Sequence, residues 1–215
     1  PYFEKGLVEK AYFFIAKSYE SPLPEKTTFQ ADERLGQDDD FIPRLYTHCY
    51  DENSPKGKRA QTKFHIFYED SRYAMGLAFP KTGRQHQIRA HAAHYGYPLL
   101  GDKLYNGDPG IFTRYQDEIS EDRDKVIMEI DRQALHALAL KFPYPVTTDE
   151  PQIFRAPIPL DLKTWIDEKL EMNSIQVEKK IEEVVEDSQE ETEETNIDDL
   201  KAQNNLPEIE DLIDK

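Results

Sequence analysis

The sequence predicts an α+β fold built on a mostly antiparallel mixed sheet with flanking helices. Three observations lead there. Residues 7–19, 59–68, 72–79 and 135–142 are runs rich in aromatic, β-branched and aliphatic residues, and within 59–68 the residues Thr62, Phe64, Ile66 and Tyr68 share one alternating face. Only two segments read as helices, near 83–95 and from 161 onward. The second and third strand runs are separated by no more than Glu69-Asp70-Ser71, a length that suits a hairpin and not a crossover.

Each element has local reasons. The 83–95 helix stops at Gly96 with Pro98 beyond, a common helix ending. Thr82 is its expected N-cap, and Asp161 that of the later helix, after Ala156-Pro-Ile-Pro159. Pro143 and Pro145 break the last strand. Residues 104–131 are polar and read as an irregular surface excursion.

Charge divides the chain of 215 residues. The net charge is −16, yet residues 1–166 carry 22 basic against 25 acidic residues and residues 167–215 carry 5 against 18. Residues 56–103 hold 9 basic and 3 acidic residues, a local basic stretch of the kind that grips phosphates. Two domains are expected: 1–170, and an acidic tail over 171–215, helical or disordered, whose last ten residues could form a short amphipathic docking helix. No run approaches the roughly 20 apolar residues of a membrane span. The lone Cys49 cannot form an internal disulfide, which fits a reducing cytoplasm.

Lys81-Thr-Gly-Arg-Gln-His-Gln-Ile-Arg-Ala-His91 carries the chemistry. Gly83 lets the backbone approach a ligand, the helix start and Arg84 favour phosphate, and Ile88, Ala92 and Tyr95 form a buried stripe. Gln85 and Arg89 lie one turn apart on another face, free to reach a cleft. From residue types alone, a basic amphipathic helix with ordinary salt bridges explains this segment about equally well. His86, His91 and His94 do not share one helical face, and no cysteine or carboxylate completes a set, so no metal is expected.

Thr82-Gly-Arg-Gln-His-Gln-Ile-Arg89 followed by Tyr95-Gly-Tyr-Pro-Leu-Leu-Gly-Asp-Lys-Leu-Tyr105 closely resembles the signature of the RluA family of RNA pseudouridine synthases, TGRxHQIRxH then GxPxxGDxxY. Val8-Glu-Lys-Ala-Tyr-Phe-Phe-Ile-Ala16, Lys58-Arg-Ala-Gln-Thr62, Arg132-Gln-Ala-Leu-His-Ala137 and Ala156-Pro-Ile-Pro159 are similar to further family segments in the same order. The resemblance covers about residues 1–170.

The resemblance implies the pseudouridine synthase catalytic-domain fold, in part, and isomerisation of uridine to pseudouridine in RNA, ribosomal RNA ahead of transfer RNA. It implies a cytoplasmic monomer with no cofactor, no metal and no membrane. It assigns catalysis to Arg89 and Tyr12, and substrate contacts to Arg84, His86, Gln87, Lys10, Leu99 and Leu100, the two leucines walling the uracil pocket. Asp102 reads as structural, in the GDxxY turn. The family's nucleophilic aspartate stands in a segment HRLDxxTSG that is absent from these 215 residues. The expectation is a C-terminal part of the domain with that aspartate upstream, inactive by itself. The alternative is a non-catalytic RNA-binding module.

Overall fold

The computed structural model describes residues 8–18, 27–37, 45–106, 108–143 and 151–185. The chain divides into two compact units, Pro1–Trp165 and Ile166–Lys215. In the first, the described strands are β1 (Glu9–Lys17), β2 (Thr27–Ala31), β3 (Arg34–Gln37), β4 (Thr47–Tyr50), β5 (Lys58–Arg59), β6 (Thr62–Glu69), β7 (Tyr73–Pro80), β8 (Leu135–Pro143) and β9 (Pro151–Arg155). The helices are α1 (Gln87–His94), α2 (Pro109–Gln116), α3 (Asp122–Met128) and α4 (Leu160–Lys169). The second unit contains a helix over residues 174–185, and the proposed docking segment 206–215 lies outside the described residues.

Two sheets sit on either side of α1. The larger has the order β2-β6-β7-β1-β8-β9 and the smaller β4-β3-β5. Every strand pairing among the described residues is antiparallel, and β6 and β7 pair as the hairpin that their short connection suits. One face of the large sheet buries Phe14, Phe64, Ile66 and Ala78 against Ile88 and Ala92 of α1. The other face holds Phe13 stacked on Phe67, with Ile15, Met75 and Leu77 fully buried. Each such large side chain contributes roughly 1.5–3 kcal/mol of burial. On its far side α1 meets the small sheet's cluster, where Leu35, Ala60, Ala90, Leu104 and Tyr105 pack together. The helix is therefore apolar on two sides, and its polar residues have few directions left.

Several expected boundaries moved. The helix begins at Gln87, four residues late, and Thr82 does not cap it: the threonine hydroxyl accepts from the Gln61 N–H and donates to Gln87 Oε1. His86 takes the N-cap place in the left-handed region, at φ 52°. Asp161 lies inside the first turn of α4 and pairs with Arg132 at 2.7 Å, so it is no cap either. Tyr95 is half-buried, while His91 is fully buried between Thr62 and the Glu33 carbonyl. The stretch read as irregular, 104–131, contains α2 and α3. Arg114 ties them together with two bonds to Asp124 and one to Asp108.

Candidate active site

Two strands and a loop enclose the site. Lys10 and Tyr12 are two apart on β1 and so project from the same face. A register shift opposite Ala11 and Tyr12 loosens β1 from β8 at that point. The loop leaving β7 crosses above them and feeds α1, bringing Arg84, His86 and Arg89 to the same place. These residues line a cavity of about 170 Å³ whose apolar walls are Pro80, Ile88 and Leu135. Tyr12 and Arg89, assigned from separate sequence segments, thus meet at one cavity.

Arg89 is held by the GDxxY turn. Its Nε donates to Asp102 Oδ2 at 2.6 Å and its Nη2 to Asp102 Oδ1 at 2.7 Å. Asp102 is completely buried and also accepts from the Leu104 and Tyr105 N–H groups. The Tyr105 ring lies under the guanidinium, 5.1 Å from its carbon. Burial alone would lower the Arg89 pKa, but the bonds and charge of Asp102 outweigh it, and the net shift is upward. Arg89 is a fixed cation whose Nη1 edge makes no bond among the described residues. That edge can meet a second anion or a carbonyl oxygen.

His86 makes a long contact of 3.3 Å from Nδ1 to the Tyr105 hydroxyl. Burial and the adjacent Arg89 charge lower its pKa against a smaller opposing pull from Asp102, which favours neutral imidazole at pH 7. Lys10 is half-buried, and burial lowers its pKa too. Arg84 is exposed, with Nε on the Arg59 carbonyl at 3.1 Å.

Three expected contacts sit differently. Gln87 borders the cavity, but its amide is committed to the protein. Its Oε1 accepts from Thr82 and from the Arg84 N–H, and its Nε2 donates to the Gln61 carbonyl and to Thr62. Four bonds exhaust a primary amide, so the Gln87 side chain clamps the loop at the edge of the cavity. Leu99 and Leu100 are fully buried and are not among the cavity's lining residues. The reason is register: Leu100 N donates to Ile15 O and Lys17 N to Pro98 O, which puts this segment along the far end of β1 from Lys10 and Tyr12. Pro80, Ile88 and Leu135 supply the apolar walls that the leucines were expected to provide. Gln85 lies before the helix and meets Gln37, away from the cavity.

Cys49 is half-buried with its thiol pushed up to about 12 by burial and by Glu33, so it is an unreactive packing residue. Among the described residues no group of three or more His, Cys, Asp or Glu could hold a metal ion, and no helix is long and apolar enough to cross a membrane.

Comparison with known proteins fits this geometry. Residues 2–94 match the family described as RNA pseudouridylate synthase. The ribosomal large subunit pseudouridine synthase D of Vibrio cholerae is 44% identical over 112 residues, covering 51% of this chain and 32% of that protein. Its counterpart in Haemophilus influenzae is 40% identical over 107 residues, covering 50% and 32%. The chain thus spans about a third of the length of the curated relatives it matches. Among solved structures, human RNA Pseudouridylate Synthase Domain Containing 4 shares the fold, with a TM-score of 0.54 and 20% identity over 80% of this chain and 67% of that one. The matched segment contains β1 with Tyr12 and α1 with Arg89, and it is over this segment that the chain resembles the RNA pseudouridylate synthases.

Proposed function

We propose that this chain supplies the base-holding half of an active site that isomerises uridine to pseudouridine in RNA, with ribosomal RNA of the large subunit as the substrate. The observation that carries the reading is the meeting of Tyr12 and Arg89 at one cavity with apolar walls, in a chain whose relatives carry that activity in their names. In the reaction the N1–C1′ bond of the nucleotide breaks, the uracil turns, C5 joins C1′, and the proton on C5 is exchanged for one on N1. Electrons balance within the substrate, so no redox partner or energy source is required.

The residues suit these steps. The Tyr12 ring offers a flat face to the uracil, and its hydroxyl is a donor and acceptor near the turning base. Arg89 presents its unbonded edge to the nucleophilic carboxylate of an HRLDxxTSG segment and would keep it ionised. Pro80, Ile88 and Leu135 exclude water around the base. The protein acts in the cytoplasm as a monomer on this reading.

The test is tritium release from ribosomal RNA labelled at uracil C5. A chain carrying an HRLDxxTSG segment ahead of β1 is expected to release tritium, and Arg89→Ala in it to lose about 10²-fold in turnover through mispositioning. The 215 residues alone are expected to bind RNA without turnover. Turnover undiminished by Arg89→Ala sinks the proposed roles. A second reading, an RNA-binding module without chemistry, predicts binding and no tritium release from either chain.

A further inference from the structure

The Lys10 end of the cavity has a composition that uracil recognition does not explain. Among the described residues no aspartate or glutamate lines the cavity, although Lys10, Arg84 and Arg89 all do. Elsewhere in this unit Lys17, Arg114, Arg132 and Lys141 each reach a carboxylate. Arg89 has Asp102, but among the described residues the Lys10 ammonium has no bond or ion pair, and the Arg84 side chain is tied only through Nε to a carbonyl. Half-burial of Lys10 makes its charge costly without an anion, and its pKa is lowered accordingly.

Gly83 lies between these two cations. Its φ is outside the left-handed region, so the backbone there does not require glycine. Among the described residues a Cβ built on it would meet only Lys10 Nζ, at 3.9 Å. Packing does not require glycine either. The missing side chain keeps open a space bounded by main chain on one side and an ammonium on another.

We propose that Lys10, Gly83 and Arg84 form a seat for a phosphate of the bound nucleotide, with Gly83 bare so that the sugar–phosphate backbone can lie against the main chain. Arg84, its Nε anchored to the Arg59 carbonyl, keeps both Nη groups for two phosphate oxygens. Lys10 neutralises the third from below as a point charge. The seat anchors the nucleotide by its backbone while the base goes to Tyr12, so it holds any nucleotide and adds affinity without choosing the base. This rests on the RNA reading above.

The experiment uses the 215-residue chain, labelled with ¹⁵N, in a phosphate-free buffer at constant ionic strength. Uridine, uridine 5′-monophosphate, uridine 3′-monophosphate and inorganic phosphate are titrated while the Gly83 amide signal is followed. At least one of the monophosphates is expected to move that signal and bind about tenfold tighter than uridine, the effect of one charge-assisted bond. Lys10→Met removes the difference and Lys10→Arg retains most of it. Gly83→Val weakens the monophosphates without lowering the midpoint of urea unfolding. Equal binding of uridine and both monophosphates, or a preference unchanged in Lys10→Met, overturns the seat. Binding by inorganic phosphate with none by uridine in any form leaves an anion site and removes the RNA reading. RNA binding that Arg89→Ala weakens but Lys10→Met and Gly83→Val leave intact removes the seat and keeps the reading.

Discussion

Asp102 shows how one buried carboxylate can determine the behaviour of a residue at the cavity. It accepts both Arg89 bonds and two backbone N–H groups while fully buried. Asp102→Ala leaves a largely buried guanidinium and two amides without acceptors, and is expected to cost about 3–5 kcal/mol of stability. Urea unfolding followed by circular dichroism measures this. A cost within 1 kcal/mol would mean that water replaces the carboxylate without penalty. Tyr12→Phe, by contrast, removes a hydroxyl and no packing, so its unfolding midpoint is expected to match the parent's. Arg89 and Tyr12 were legible in the sequence because they sit in long ordered motifs. The bonding of Gln87 and the placement of Leu99 and Leu100 were not, since motif membership does not say which way a side chain faces. The satisfaction of the Gln87 amide and the register of β1 decide that.

His91 belongs to the same scale and gives a pH dependence. It is fully buried, and burial lowers its pKa more than the Glu33 carbonyl raises it. The unfolded chain takes up this proton near the ordinary 6.5, and the folded chain only at lower pH. The stability derived from neutral His91 is therefore complete above about 6.5 and declines as pH falls toward the lower folded value. His86 shifts in the same direction. Urea midpoints measured from pH 8 to pH 5 are expected to drop below pH 6.5, and the drop to shrink in His91→Gln. A flat profile would contradict the burial of both rings.

At the scale of elements, the turn at 99–105 positions Arg89 through the Asp102 carboxylate that it carries. Gly101 has φ 72°, and a Cβ there would lie 2.0 Å from the Arg132 carbonyl oxygen. Gly101→Ala is expected to cost more than the roughly 1–3 kcal/mol of ordinary overpacking, because strain and clash coincide. Chemical denaturation reads this directly, and a variant as stable as the parent would show that the turn can relax. The long strands β1, β6, β7 and β8 were readable from their alternating or continuous apolar runs. The short strands β2 to β5 and the edge strand β9 were not, because two to five residues carry too little periodicity. The two helices of 104–131 did leave signals that polarity concealed. Asp108-Pro109 is an N-cap followed by proline at the first helical position, and Glu121 and Asp124 stand in capping-box spacing.

For the whole molecule, charge placement matters more than its sum. The chain carries −16, yet among the described residues the cavity is lined by Lys10, Arg84 and Arg89 and by no carboxylate. RNA affinity should accordingly fall with salt, with a log–log slope of roughly −0.7 for each phosphate contacted on a single strand. Arg84→Ala is expected to make that slope shallower by about one such unit and to weaken all RNAs alike. Affinity independent of salt would contradict phosphate contact altogether. The acidic excess after residue 166 was plain in the sequence, and so was the basic stretch at 56–103. What the sequence could not reveal is that at the cavity Arg89 has the Asp102 carboxylate while Lys10 and Arg84 have no carboxylate partner among the described residues.

Entry of an RNA uridine into the cavity between Tyr12 and Arg89 is tested by photo-crosslinking on the 215-residue chain. RNA carrying 4-thiouridine is bound, irradiated and digested, and the modified peptides are mapped by mass spectrometry. Adducts are expected on β1 around Tyr12 and on the cavity walls at Ile88 or Leu135, and are lost when Tyr12 is replaced by alanine. Adducts confined to α2, α3 or the helix over residues 174–185, and unaffected by Tyr12→Ala, would contradict it.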